Sequence, residues 1–266
     1  MPATITGLFI YPVKSLGGIS LGRTALTPEG LEHDRRWMLT DRNGRFISQR
    51  EVPGLALLRV EPATGGFRIA HAQQPEWHTL LPAGLTGEER VAISVWDDHF
   101  EARAVSHELD EWFSDMLHYP CRLVRMGPES VRPVDARYAE NLECTGFADG
   151  FPVLLLSRAS LDDLNARLAE PVPMNRFRPN MVVNGTLPFA EDTWKTFRAG
   201  DALLRCVKPC GRCVMTTINQ DTAMAAAEPL RTLATYRSRD NNVLFGQNVL
   251  VLQPGELRCG DEIRMV

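Results

Sequence analysis

Arg36-Trp37-Met38-Leu39-Thr40, then Asp41-Arg42-Asn43-Gly44, then Arg45-Phe46-Ile47-Ser48 is the stretch whose reading decides the fold. Two β-rich arms flank an Asn-Gly pair, and a tight hairpin connection needs the positive φ that Asn and Gly adopt at little cost. Outward from it, Thr4-Ile5-Thr6-Gly7-Leu8-Phe9-Ile10-Tyr11 is a second β-rich run, stopped by Pro12. Val91–Trp96 and Phe100–Val105 predict a further hairpin around Asp97-Asp98-His99. Strands this closely spaced favour a barrel or sandwich over βαβ units.

Ser106 reads as the N-cap of a helix with Leu109, Trp112, Phe113 and Met116 on one face, ending before Pro120. Beyond Cys121 the pattern is mixed. Ser160-Leu161-Asp162-Asp163 resembles a capping box, and Leu161, Leu164 and Leu168 form a helical stripe ending at Pro171. Met181–Val183, Ala202–Val207 and the β-branched Val214–Ile218 read as strands, Glu228–Tyr236 as a helix, and Phe245–Val266 as two or three strands. The loop Met126–Gly150 is long, and long loops in compact domains are commonly functional. The expected fold class is mainly β with flanking helices (α+β), divided near residue 120 into domains 1–120 and 121–266.

The chain has 266 residues, 44% hydrophobic and 23% charged, which excludes disordered, collagen-like and coiled-coil classes. With 29 Lys and Arg against 33 Asp and Glu, the net charge of -4 offers no bulk attraction to nucleic acid, so an anion site must be local. No apolar run approaches the roughly 18 residues of a membrane span. The N-terminus carries neither a basic nor an apolar leader, so a cytoplasmic location and no membrane association are expected. Six cysteines are too sparse for a disulfide scaffold. Three of them, Cys206, Cys210 and Cys213, fall within eight positions.

That spacing matches the iron–sulfur motif of radical S-adenosylmethionine enzymes, but only 53 residues follow Cys213, too few for the barrel those enzymes need. Cys206 sits in the alternating run Leu204-Arg205-Cys206-Val207, where a small thiol is an ordinary core residue. A closed zinc site needs four ligands, and the sequence has no second C-x-x-C and no H-x-x-x-H. The six histidines form no constellation. What the residues leave is a thiol flanked by Lys208 and Arg212, whose positive charge favours thiolate and attracts an anionic cofactor.

Lys208-Pro209-Cys210-Gly211-Arg212-Cys213-Val214-Met215-Thr216-Thr217, with Phe177-Arg178-Pro179-Asn180-Met181-Val182-Val183 and Glu191-Asp192-Thr193-Trp194 before it, resembles the MOSC domain. Ile10-Tyr11-Pro12-Val13-Lys14-Ser15-Leu16 and His33-Asp34-Arg35-Arg36-Trp37 resemble the β-barrel that precedes MOSC in the mitochondrial amidoxime reducing component and its bacterial relatives. The motifs occur in order over nearly the whole chain.

The resemblance implies an N-terminal β-barrel-like domain followed by a MOSC β-barrel, with a molybdenum cofactor, a molybdopterin, held between them. It makes Cys213 the metal ligand and the catalytic residue, a soft anionic sulfur suited to a sulfur-rich centre. It places Lys14, Ser15, Arg35, Ser157, Arg178, Asn180, Gly211, Arg212 and Asn248 around the cofactor, cations and amides being what a phosphate and a pterin edge require. Ser157 reads equally as a helix-entry residue. The implied activity is reduction of a small N-hydroxylated substrate (amidoximes, hydroxylamines or N-hydroxylated bases) by a monomer. Its electrons come from an external ferredoxin, flavodoxin reductase or cytochrome-type donor, since longer relatives carry a ferredoxin domain and this sequence has no C-x4-C-x2-C. Asp221 is a proton-donor candidate by proximity alone. The alternative is a carrier of the cofactor, or of sulfur on Cys213 or Cys210, without turnover. Where relatives have Asp-Pro-Asp-Thr-Gly after the motif, this chain has Asn219-Gln220-Asp221-Thr222-Ala223, which puts the turn near the metal in doubt.

Overall fold

A computed structural model describes residues 2–84 and 87–266, which include the whole of the expected first strand from Thr4. Thr4–Ile10 is that strand, and it enters a nine-stranded sheet made mostly by the second half of the chain. Across the sheet the order runs Ile263–Met265, Thr196–Ala199, Ala202–Arg212, Asn242–Gln253, Val153–Ser157, Met181–Asn184, Thr4–Ile10 and Ile19–Leu21, with Ser238–Arg239 paired on Asn242–Gln253. A bridge between Thr4 and Glu262, with Ile5 N donating to Asp261 O at 2.9 Å and Ile263 N to Ala3 O at 2.8 Å, joins the Ile263–Met265 end of this sheet to Thr4–Ile10, one strand in from the other end, and closes a barrel. Val153–Ser157 and Met181–Asn184 pair in parallel, connected by the helix Arg158–Asn165, as a parallel connection requires.

The opening stretch behaves differently from a simple hairpin. Trp37–Thr40 is a strand, Asp41–Gly44 turns, and Gly44 has φ +76. The return arm splits its pairing: Thr40 bridges Phe46, while Arg45 bridges Ser94 on the strand Arg90–Val95. Together with Asp98–Ala104 and Arg122–Arg125, these segments close a small barrel around Met38, Phe46, Ile93, Val95, Val124 and Phe147, all of them buried. The neighbouring hairpin turns at Trp96-Asp97 and not over Asp97-Asp98-His99, because Asp98 already pairs with Val95 and His99 with Ser94. Leu58–Ala63, Gly66–His71 and Gln74–Pro82 form a further sheet, and Gly255–Arg258 adds to Arg23–Thr27 and Gly30–Leu31 in another.

Strands therefore cross the sequence division in both directions: Thr4–Ile10 and Ile19–Leu21 belong to the second-half sheet, Arg122–Arg125 to the first-half barrel. The largest apolar core likewise draws Leu8, Val13 and Trp37 from one half and Leu155, Val249 and Leu257 from the other. Fully buried Trp37 and Phe197 are the kind of side chain whose truncation costs about 3–5 kcal/mol. No helix among the described residues is long and apolar enough to cross a membrane.

Two local expectations are corrected. Val214–Thr217 is a 3-10 turn and not a strand, because the Thr216 and Thr217 hydroxyls donate to the carbonyls of Cys213 and Val214 at 3.0 and 2.7 Å. The second-half helix begins at Arg158 with Ser157 as N-cap, its oxygen accepting from Ser160 N at 3.0 Å. Ser160 is thus inside the helix and does not cap it; its hydroxyl donates to Glu191 Oε1 at 2.7 Å. The first-half helix, His107–Leu117, starts as expected at Ser106, which accepts from Leu109 N.

Candidate functional site

Two segments that follow or precede strands at the barrel ends turn inward and face each other. The first is Tyr11–Ser15, pinned to the opening strand by Lys14 N donating to Trp37 O at 2.8 Å. The second is Phe177–Asn180, leading into Met181–Asn184. Tyr11 is the hinge between them: its ring lies 4.3 Å from the Arg35 guanidinium and 4.2 Å from that of Arg178, and its hydroxyl donates to Pro179 O at 3.1 Å. Burial pushes the Tyr11 phenol up to about 12, so it stays a neutral donor. Arg35 donates to Asp34 Oδ2 at 2.7 Å and to Asn180 Oδ1 at 3.0 Å, and Arg178 donates to Leu16 O at 2.6 Å. Ser15, Arg35 and Arg178 have φ of +71, +46 and +54, left-handed conformations that non-glycine residues hold only where surrounding contacts compel them.

The third wall is the strand Ala202–Arg212. Its register on Asn242–Gln253 shifts between Cys206 and Lys208 and again between Pro209 and Gly211. These bulges re-aim the side chains: Cys206 packs against the core, while Lys208 lies level with Asn248, itself level with Leu154, and all three line one cleft. Pro209, which has no N–H to give, sits between the two irregularities, where a strand tolerates it.

The cleft encloses about 320 Å³. Lys14, Ser15, Arg35, Arg178, Asn180, Gly211, Arg212, Cys213 and Asn248 all line it. Ser157 does not: it is fully buried and caps the helix Arg158–Asn165. Asp221 is also outside, its carboxylate 2.6 Å from Arg59. In the turn Asn219–Ala223, Asn219 Oδ1 accepts from Asp221 N and Thr222 N, and Ala223 takes the left-handed φ of +59.

Several cleft residues carried no sequence signal. Arg50 and Arg176 join Lys14, Arg35, Arg178, Lys208 and Arg212, so seven cations face one carboxylate, Asp149. Asp149 lies in the long loop and accepts from Lys14 Nζ at 2.6 Å; the same ammonium donates to Phe147 O at 2.7 Å. Burial lowers Lys14 to about 8 against the opposing pull of Asp149. For Asp149, burial resists ionisation, but Lys14 overrides it and holds the carboxyl below its ordinary range. Arg132, buried behind the loop, fixes it by donating to the carbonyls of Gly146, Ala148 and Asp149, while its Nε donates to Asp98.

The three clustered thiols differ sharply. Cys206 is pushed up to about 12 by burial, with Glu191 and Asp192 adding to the rise, so it is an inert core thiol. Cys210 Sγ lies 3.0 Å from Arg212 Nη1. Cys213 is exposed at the head of the 3-10 turn, its Sγ 3.6 Å from Arg50 Nη1. The donor set suits an anionic, sulfur-rich group. Arg212 Nε is buried without a partner, and a Cβ on Gly211 would meet only the Asn242 side chain, at 3.4 Å and beyond, so no protein packing demands a glycine on that face. Among the described residues no cluster of three or more His, Cys, Asp or Glu side chains is placed to hold a metal.

Comparison with known proteins finds two family matches along the chain. Residues 2–120 match the MOSC N-terminal beta barrel domain, and residues 144–264 the MOSC domain. Mitochondrial amidoxime-reducing component 1 of Homo sapiens is 32% identical, over 99% of this chain and 83% of that protein. Mitochondrial amidoxime reducing component 2 of Rattus norvegicus is 34% identical, again over 99% and 83%. The molybdenum cofactor sulfurase of Oryza sativa is 31% identical over 91% of this chain, which spans only 32% of that protein's length. The chain belongs to the family of MOSC proteins with an N-terminal MOSC β-barrel that includes the mitochondrial amidoxime-reducing components.

Proposed function

We propose that the chain holds a molybdenum-pterin cofactor in this cleft and reduces N-hydroxylated compounds such as amidoximes, hydroxylamines or N-hydroxylated bases. The observation that carries this reading is an exposed Cys213 thiol in the wall of a cleft that seven cations from both halves of the chain also line. Cys213 is the metal ligand. Lys14, Ser15, Arg35, Arg178, Asn180, Gly211, Arg212 and Asn248 hold the pterin and its phosphate. When bound, the cofactor supplies two-electron reduction of the N–O bond, with water as the second product. The chain's own part is orientation: Asn180 fixes Arg35, Tyr11 separates Arg35 from Arg178, and Arg132 holds the loop that presents Asp149 to Lys14. Electrons come from a separate ferredoxin, flavodoxin-reductase or cytochrome-type protein.

A carrier reading uses the same cleft, with Cys210 and Cys213 both in its wall. The test is protein purified from a cofactor-competent host, analysed for molybdenum and assayed with an amidoxime and reduced viologen. Stoichiometric metal with turnover is expected. An exchangeable cofactor, or labile sulfur on either thiol, without turnover would favour the carrier.

A further inference from the structure

Trp96 stands where a tight hairpin disfavours it. The strands Arg90–Val95 and Asp98–Ala104 are joined by Trp96-Asp97 alone, and Trp96 has φ +57. The first connecting residue of such a turn with positive φ is ordinarily glycine, and a bulky side chain there is a genuine outlier. The indole is not buried in compensation, since Trp96 remains 48% exposed. It is nonetheless held in place. Its ring packs edge-on against Phe46, centroids 5.0 Å apart, and lies 4.5 Å from the Arg50 guanidinium, whose Nη1 is 3.6 Å from Cys213 Sγ. A single guanidinium thus separates an exposed indole from the proposed metal ligand.

Strain kept at a site over-determined by its neighbours points to function. Resting on the reading above, we propose that Trp96 is a specificity-determining residue: its free surface, fixed by Arg50 and Phe46, stacks the flat body of an aromatic N-hydroxylated substrate whose N–O group lies toward Cys213. Phe46 contributes no free face, being buried; Trp96 stands just outside the cleft lining, against Arg50, which belongs to it. The site therefore favours aromatic over aliphatic N-hydroxylated compounds, because only the former gain offset stacking on the indole.

The test uses the molybdenum-loaded protein with benzamidoxime and acetamidoxime as aromatic and aliphatic probes. In Trp96→Ala the ratio of kcat/KM for benzamidoxime over acetamidoxime should fall about tenfold, mainly through KM, the size expected for a lost stacking contact. Trp96→Gly, which suits the turn's positive φ, should show the same fall, so that it cannot be blamed on misfolding. Trp96→Phe should keep most of the ratio. Independently of turnover, benzamidoxime should quench the wild-type tryptophan fluorescence saturably, and Trp96→Phe should abolish that quenching. A ratio unchanged in Trp96→Ala and Trp96→Gly, or quenching that persists in Trp96→Phe, would overturn the assignment. If the loaded protein reduces neither amidoxime, the proposed reaction fails, while the quenching still decides the platform.

Discussion

Lys14 is the residue whose environment makes the sharpest measurable statement. Its ammonium is almost wholly buried yet faces the cleft, and burial lowers it from 10.5 to about 8. Below about pH 8 both folded and unfolded chains carry the proton, and the full desolvation penalty is present. Between about 8 and 10.5 the unfolded chain alone stays protonated, so stability of the cofactor-free protein rises with pH through that window, by at most about 3 kcal/mol. Lys14→Met should remove this rise, as read by urea denaturation at a series of pH values. Identical pH dependence in both proteins would show that Lys14 keeps an ordinary affinity for its proton. At this scale much of the site was legible: Lys14, Arg35, Arg178 and Arg212 stand in motifs that can be recognised one by one. Arg50 and Arg176 could not be found so, because an arginine outside a motif looks like any surface charge until the fold brings it to the cleft.

At the scale of elements, the sequence periodicity located several strands, Thr4–Ile10 and Met181–Asn184 among them, and the Ser106 cap, but missed the strands between Leu58 and Pro82 and misplaced features that depend on side-chain to main-chain bonds. Val214–Thr217 is β-branched, yet two threonine hydroxyls close it into a 3-10 turn. Ala202–Arg212 runs five residues beyond its expected end at Val207, because its bulges accommodate Pro209 and Gly211, which in a regular strand would end it. Ser157 presents the same lesson with a test attached. As an N-cap it satisfies Ser160 N, and its hydroxyl lies 2.7 Å from that of Ser160. Ser157→Ala should therefore cost about 1–2 kcal/mol in chemical denaturation and leave the molybdenum content per chain as in the wild type. Loss of molybdenum without loss of stability would return Ser157 to the cofactor.

On the scale of the whole molecule, the two halves are tied by more than adjacency. Gln49 and Gln220 exchange amide hydrogen bonds at 3.1 and 2.9 Å, both buried, and Arg59 reaches the divergent turn at Gln220 O and Asp221. Thr4–Ile10 completes the second-half barrel, and Arg122–Arg125 lies between Trp37–Thr40 and Asp98–Ala104. A cut at residue 120 exposes the edges of both sheets, with unpaired main-chain groups on each. Fragments 1–120 and 121–266 should each lack a cooperative thermal transition by circular dichroism, whereas the full chain shows one. A cooperative transition in 121–266 alone would mean that the Thr4–Ile10 strand is dispensable. Composition and spacing indicated barrels, but not this exchange of strands, because pairing between segments more than a hundred residues apart leaves no local trace.

The central claim is that Cys213 completes a molybdenum site in the interdomain cleft. X-ray absorption at the molybdenum edge, on protein loaded in a cofactor-competent host, reads it most directly. The wild type should show one sulfur scatterer more than Cys213→Ser, with the pterin sulfurs common to both. The same sulfur count in the two proteins, both loaded with metal, would contradict the account.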